Sequence, residues 1–182
     1  LAKSLRLHGA DVFVFYLPRD RGPAVEQLVM SRFGRFEGRF VPQAAGDLSA
    51  RLHAALAHLH GLGYERQFVL GTDSPTLPLE IIQRGVDSLS DHDAVLGPSW
   101  NGAYYLIGLT QPDARIFADV AWGSGMELSR TFANLTGLGR KVAMLPRWQD
   151  VDSPDDLPFL EGQVRTADYQ RLKSILMEPK GA

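Results

Sequence analysis

Asp73 ends an apolar run, Phe68 to Leu70, inside the segment Gly71-Thr72-Asp73-Ser74-Pro75, and helix-like sequence resumes at about Pro78. A buried strand that stops so abruptly delivers one carboxylate to its C-terminal end, where open α/β sheets bind ligands. A carboxylate there suits a divalent cation that clamps phosphates, because Mg²⁺ usually takes one or two protein carboxylates together with phosphate oxygens. The competing reading of Asp73 taken alone is a turn-shaping or helix-capping acid, a common role for Asp and Ser. Three further clusters carry groups of interest. Gln43-Ala-Ala-Gly46-Asp47-Leu48-Ser49-Ala50-Arg51 opens a helix, and Leu96 to Gly108 is a glycine-punctuated loop entering an aromatic strand. Asp150-Val151-Asp152-Ser153-Pro154-Asp155-Asp156 is acidic. In it Ser153 reads as an N-cap, Pro154 as the first helical residue, and Asp155 and Asp156 as acids facing the helix dipole.

The elements that must position these groups alternate in type. Strand patterns cover Asp11–Leu17, Arg39–Val41, residues 66–71, Asp93–Leu96, Ala103–Leu109 and Lys141–Leu145. Helical patterns cover Gly22–Phe33, Asp47–His60, Pro78–Leu89, Arg115–Asp119, Gly125–Leu135, the segment opened by Ser153, and Asp168–Leu176. Asp47–His60 is the clearest, with Leu48, Leu52, Ala55, Leu56 and Leu59 on one stripe and Gly61 and Gly63 closing it. The alternation predicts a mainly parallel, three-layer α/β sheet. His53, His58 and His60 share the second helix, but His58 lies off the face of the other two, which disfavours a metal site.

Bulk properties narrow the class. A chain of 182 residues reads as one domain with room for a proper core. Its 45% apolar and 22% charged residues are ordinary for a globular protein. A net charge of −2 argues against nucleic-acid binding. No run approaches the ~20 apolar residues that span a bilayer. With no cysteine, disulfides and Cys-based zinc sites are excluded. These properties, with no visible signal peptide, lead to a cytoplasmic expectation.

Taken in order, the four clusters resemble the uncharacterised GT-A-fold glycosyltransferase family (DUF2064-like), related to molybdenum-cofactor guanylyltransferases and nucleotide-diphospho-sugar transferases. The resemblance runs from about Asp11 to Leu157. It implies a three-layer αβα sandwich with a Rossmann-like sheet, and a nucleotide-sugar or nucleotide bridged to the protein by Mg²⁺ or Mn²⁺. Asp73 matches the family's strand-end acid, and Asp152 matches the acid that precedes a Ser/Thr-Pro helix start in related nucleotidyltransferases; both are expected at the metal. Two carboxylates opposite a pyrophosphate offset its charge through one shared cation. Gly71, Thr72, Ser74 and Pro75 are implied as the nucleotide- or sugar-binding loop.

Asn101 is the candidate catalytic position. The family typically shows Asp-Gly-Gly where this chain has Asn101-Gly102-Ala103. An amide hydrogen-bonds a sugar hydroxyl but neither accepts its proton nor brings charge to a metal. Gly102 offers close backbone approach to a sugar or acceptor. Trp122, in the family-like Trp122-Gly123-Ser124, is expected either to stack on a sugar or base or to be a buried core residue. Arg51 reads as an exposed helix arginine.

The family begins with a strand and a Gly-containing basic phosphate loop, neither of which is found before Asp11. The chain, which starts at Leu1, therefore reads as an N-terminally truncated GT-A-like domain. The expected activity is metal-dependent sugar transfer from a nucleotide-diphospho-sugar to an unknown acceptor. The alternatives are a nucleotidyltransferase releasing pyrophosphate and a degenerate, non-catalytic binding module.

Overall fold

A computed structural model describes residues 9–33, 36, 38–164 and 170. The opening segment Leu1–Leu5 and, apart from Gln170, the helix expected over Asp168–Leu176 lie outside the described residues. The elements run β1 (Phe13–Tyr16), α1 (Gly22–Phe33), β2 (Arg39–Pro42), α2 (Leu48–Gly61), β3 (Gln67–Leu70), α3 (Leu79–Ser88), β4 (Ala94–Pro98), β5 (Tyr104–Leu109), α4 (Glu127–Gly137), β6 (Val142–Met144) and the single turn α5 (Leu157–Leu160). Short 3-10 turns cover Ala114–Phe117 and Pro154–Asp156, where the sequence suggested fuller helices.

The fold is the expected GT-A-like α/β architecture, with one strand reversed. Four strands lie in the order β3-β5-β4-β6. β5 is antiparallel to both neighbours, while β4 and β6 are parallel. Strands β3, β4 and β6 therefore point one way and β5 the other. The reversal has a local cause. The five residues between β4 and β5 allow a hairpin but are too few for a parallel crossover, which needs a dozen or more. β1 and β2 form a separate parallel ribbon.

Apolar alternation along the strands builds a core on each face of the larger sheet. On one face Ala94, Leu96, Ile107 and Leu109 pack with Leu56 of α2, Ile116, Phe117 and Leu135 of α4. On the other, Val95 and Leu106 pack with Ile81 and Ile82 of α3, Leu77 and Leu145. Each such large aliphatic side chain removed from water contributes about 1.5–3 kcal/mol. The strict alternation breaks once. Gly97 opposes Leu106 and Pro98 opposes Tyr104, so Tyr105 is the extra residue of a β-bulge. Tyr105 consequently joins Leu106 in the second core, while Tyr104 packs toward the first.

The acid edge and its supports

The candidate site forms where β3 ends. The Gly71 N–H donates to the Tyr105 carbonyl (2.9 Å), extending the β3–β5 ladder by one bond before the chain turns away. A Cβ at Gly71 would come within 2.5 Å of the Asp73 carboxylate, so a side chain there would require that carboxylate to swing away from the strand end. Ser74 is buried, Thr72 and Pro75 are exposed on the rim, and the Leu77 N–H closes the turn on the Ser74 carbonyl.

The second acid arrives from the far end of the chain. Beyond β6 the backbone continues alongside β4: the Leu145 N–H bonds Leu96 and the Trp148 N–H bonds Pro98. A parallel bridge then pairs Ser99 with Trp148. The strip finally crosses the end of β3, where the Val151 N–H donates to the Asp73 carbonyl (2.8 Å). This seats Asp150 and Asp152 on either side of that contact. The Asp73 carboxyl is pushed above its ordinary pKa, first by its own burial and then by the charges of Asp150 and Asp152, against its own backbone N–H, which lowers it. Asp152 thus lies close enough to Asp73 for its charge to act on the Asp73 carboxyl.

Asp150 has a different occupation. It is 8% exposed and accepts a 2.6 Å hydrogen bond from the Ser74 hydroxyl, which ties the two loops together beneath the surface. Ser74 therefore faces inward to Asp150. Asp156 caps the turn that follows, accepting from the N–H groups of Asp152 and Ser153 and from the Ser153 hydroxyl. Burial pushes its carboxyl up, but these bonds and one from Gln149 outweigh it and hold the pKa below the usual range. Asp156 is spoken for as a cap.

Asn101 completes the edge. Its amide N–H donates to Asp152 (3.3 Å), and its amide oxygen accepts from the Ala103 N–H (3.0 Å), fixing the β4–β5 hairpin. Gly102 corrects an expectation. Its φ is +88°, and a Cβ there would lie 2.0 Å from the Gly125 carbonyl oxygen. The space beside Gly102 is filled by the chain's own backbone, not kept open for a ligand, and Leu128 donates to the Gly102 carbonyl from α4. Trp122 is half-buried against the first core. Its indole N–H donates to the Ser49 hydroxyl (2.9 Å), and it meets Tyr104 edge-on at 6.1 Å. Of the two expectations for Trp122, the packing is that of a core residue.

Among the described residues, no group of three or more His, Asp or Glu side chains is arranged to cage a metal ion. His58 instead packs edge-on against Phe13 and Phe15. The edge carries two exposed carboxylates, Asp73 and Asp152. That set fits a cation whose remaining ligands come from phosphate oxygens. A depression of about 620 Å³ opens at the opposite edge of the sheet, lined by His60, Glu65, Arg66, Asp93, Thr110 and Arg140 among others. It lies away from the strand-end carboxylates.

Sequence reasoning passed over one pairing. The guanidinium of Arg147 sits 5.4 Å over the ring of Trp100, and Trp100 is 63% exposed immediately beside Asn101. The Ser99–Trp148 bridge makes the pair, and a bridge between residues so far apart in sequence leaves no local pattern.

The model of a family described as "Uncharacterized protein conserved in bacteria (DUF2064)" matches residues 1–124. No curated protein matches the chain. Among solved structures, the chain is similar to a protein of Desulfovibrio desulfuricans G20 named a "putative nucleotide-diphospho-sugar transferase". The two are 26% identical with a TM-score of 0.77, over 92% of this chain and 75% of that one.

Proposed function

The chain belongs to the DUF2064 family, and from that membership and the acid edge we propose that it is a metal-dependent nucleotide-diphospho-sugar transferase. What supports the reading is the Val151–Asp73 backbone bond at the end of β3, which sets Asp152 within electrostatic reach of Asp73 and beside Asn101. Two exposed like charges within electrostatic reach of each other favour a shared cation.

Asp73 and Asp152 would hold Mg²⁺ or Mn²⁺. When bound, such an ion stabilises the negative charge that develops on a leaving diphosphate. The chain's own contribution is positional. The Ser74–Asp150 bond fixes the 71–75 loop, the Val151–Asp73 bond fixes its distance from Asp152, and Asn101 orients the Asp152 carboxylate. Holding reacting groups in register is itself a large part of the rate gain in group transfer. Asn101 donates a hydrogen bond and takes no proton, so removal of the acceptor's proton falls to another group or to water.

Calorimetric titration of UDP and GDP with and without Mn²⁺ tests the reading. Binding should tighten at least about tenfold with the ion, as expected when a charge-assisted contact worth about 1.5–3 kcal/mol is gained. Equal affinities would remove the metal role. Asp73→Asn should abolish the dependence while the far-ultraviolet dichroism stays unchanged. Turnover that releases pyrophosphate in place of a nucleoside diphosphate would favour nucleotidyl transfer. The engagement of Asn101 with Asp152 supports a second reading, a non-catalytic binder, in which metal-dependent nucleotide binding survives without turnover.

A further inference from the structure

We propose that Trp100 and Arg147 form an acceptor subsite beside the acid edge, for a sugar that carries an anionic group, either phosphate or carboxylate. The proposal rests on the transferase reading above, to which it adds the class of acceptor. Three tryptophans occur in the chain, and they are used differently. Trp122 and Trp148 are partly buried and bond through their indole N–H groups, to Ser49 and Thr76. Trp100 is 63% exposed at the tip of the β4–β5 hairpin. An indole carries a large apolar area and an electron-rich face, well suited to covering a flat or CH-lined ring.

Its position is enforced. Ser99 is fully buried and bridged to Trp148, so the next residue on one strand and the preceding residue on the other, Trp100 and Arg147, turn to the opposite, outer side. Stacking at 5.4 Å then restrains the guanidinium. A stacked arginine keeps its planar fork of donors available for bidentate pairing with a carboxylate or phosphate. Among the described residues Arg147 has no ion pair, although two acids follow it closely in sequence. Asp150 bonds Ser74 beneath the surface, and Asp152 accepts from Asn101. An unpaired cation on a ring therefore stands one residue from Asn101, on an edge whose other charges are negative. A ring with an anionic substituent satisfies both groups at once. Inorganic phosphate satisfies the cation alone, and a neutral sugar the ring alone.

The test is calorimetric titration of the full chain with glucose 6-phosphate, glucuronate, glucose and inorganic phosphate. At least one charged sugar should bind about tenfold or more tightly than glucose and than inorganic phosphate, in line with the added worth of a charge-assisted pair. Arg147→Met should erase the preference over glucose. Trp100→Ala should weaken the charged sugar about tenfold, as loss of a stacking contact implies. Both side chains are exposed, and unchanged circular dichroism verifies that each variant folds. Should Trp100→Ala lose its fold, Arg147→Met alone still decides. Glucose or phosphate binding as tightly as the charged sugars, no binding of either charged sugar, or variants that bind like the parent would each overturn the subsite. Titration of the parent chain with UDP and Mn²⁺ separates the two readings. A chain that binds UDP but no charged sugar loses the acceptor subsite, whereas one that binds a charged sugar but not UDP loses the donor reading.

Discussion

β4 is buried along its whole length and β5 along all but its first residue, whereas no residue of β1 or β2 is fully buried. The sequences do not explain the contrast, since Phe13-Val14-Phe15-Tyr16 is as apolar as Tyr104-Tyr105-Leu106-Ile107. The difference lies in what covers them. β4 and β5 have strands on both sides and packed side chains on both faces. β1 is paired with β2 and braced by edge-on contacts of Phe13 and Phe15 with His58, of Phe13 with Tyr64, and by Arg39 over the Phe13 ring. Contacts of that kind are worth about 0.5–1.5 kcal/mol each, less than full burial of the same ring. The acid edge draws all its parts from the end of β3, the β4–β5 hairpin and the strip after β6. The acid edge stands on the buried sheet.

The largest test of that contrast is truncation on either side of it. Leu96→Ala, at a fully buried position, should destabilise by about 2–5 kcal/mol in chemical denaturation. Val14→Ala, in the partly buried ribbon, should cost less, about 1–2 kcal/mol, since the side chain keeps some contact with water and does not sit in either core. Equal costs would show the ribbon to be as much a part of the core as β4. Hydrogen exchange sharpens the same point: amides of β4 and β5 should be protected far longer than those of β1 and β2.

The next effect concerns backbone fit. Gly102→Ala meets the Gly125 carbonyl and also holds alanine at positive φ, so it should cost more than the ~1–2 kcal/mol of the conformation alone. Gly139→Ala shares the positive φ but has open space around it, and should cost no more than that ~1–2 kcal/mol. Matching losses would mean that the hairpin and the Gly125 loop separate freely.

The smallest effect is electrostatic. Asp113 caps the Ala114–Phe117 turn, whose Ile116 and Phe117 sit in the first core, and bonding to Arg115 holds its carboxyl down at about 2. A depressed folded-state pKa stabilises above the unfolded carboxylate value, and that contribution fades as pH falls toward 2. Asp113→Asn should therefore lower stability slightly at neutral pH, leave it unchanged near pH 2, and so flatten the acid limb of the stability profile. A variant that changes neither limb would show the pair to be fully screened.

Much of this architecture could be read from residue order. The stripe of Asp47–His60 became α2, and the abrupt stop after Leu70 marked both the strand end and Asp73. The reversed β5 was less visible, because a strand buried on both faces shows the same continuous apolar run in either direction. Its clue was the short, glycine-bearing link to β4. The bulge at Tyr105 left no signal, since it depends on register with a neighbouring strand. In the site, the sequence marked Asp73 and Asp152 as acids at loop positions, and the fold sets the second within electrostatic reach of the first. The inward turn of Ser74 to Asp150, the closure of Gly102 on Gly125 and the stacking of Arg147 on Trp100 were not legible in the sequence. Each is a contact between distant segments, fixed by how the sheet folds them together.

The Ser74–Asp150 bond spans 76 residues, and the Val151–Asp73 bond a similar stretch. A growing chain emerges from the ribosome N-terminus first. The strands β3, β4 and β5 are therefore all available to pair before either acid of the second cluster has been synthesised. On the metal-dependent reading proposed above, ion binding should then appear as a late, discrete event in biosynthesis. Stalled nascent chains with Pro146 just clear of the exit tunnel would hold the paired strands yet be blind to Mn²⁺, and chains carrying Asp152 clear of it would be the first to sense it.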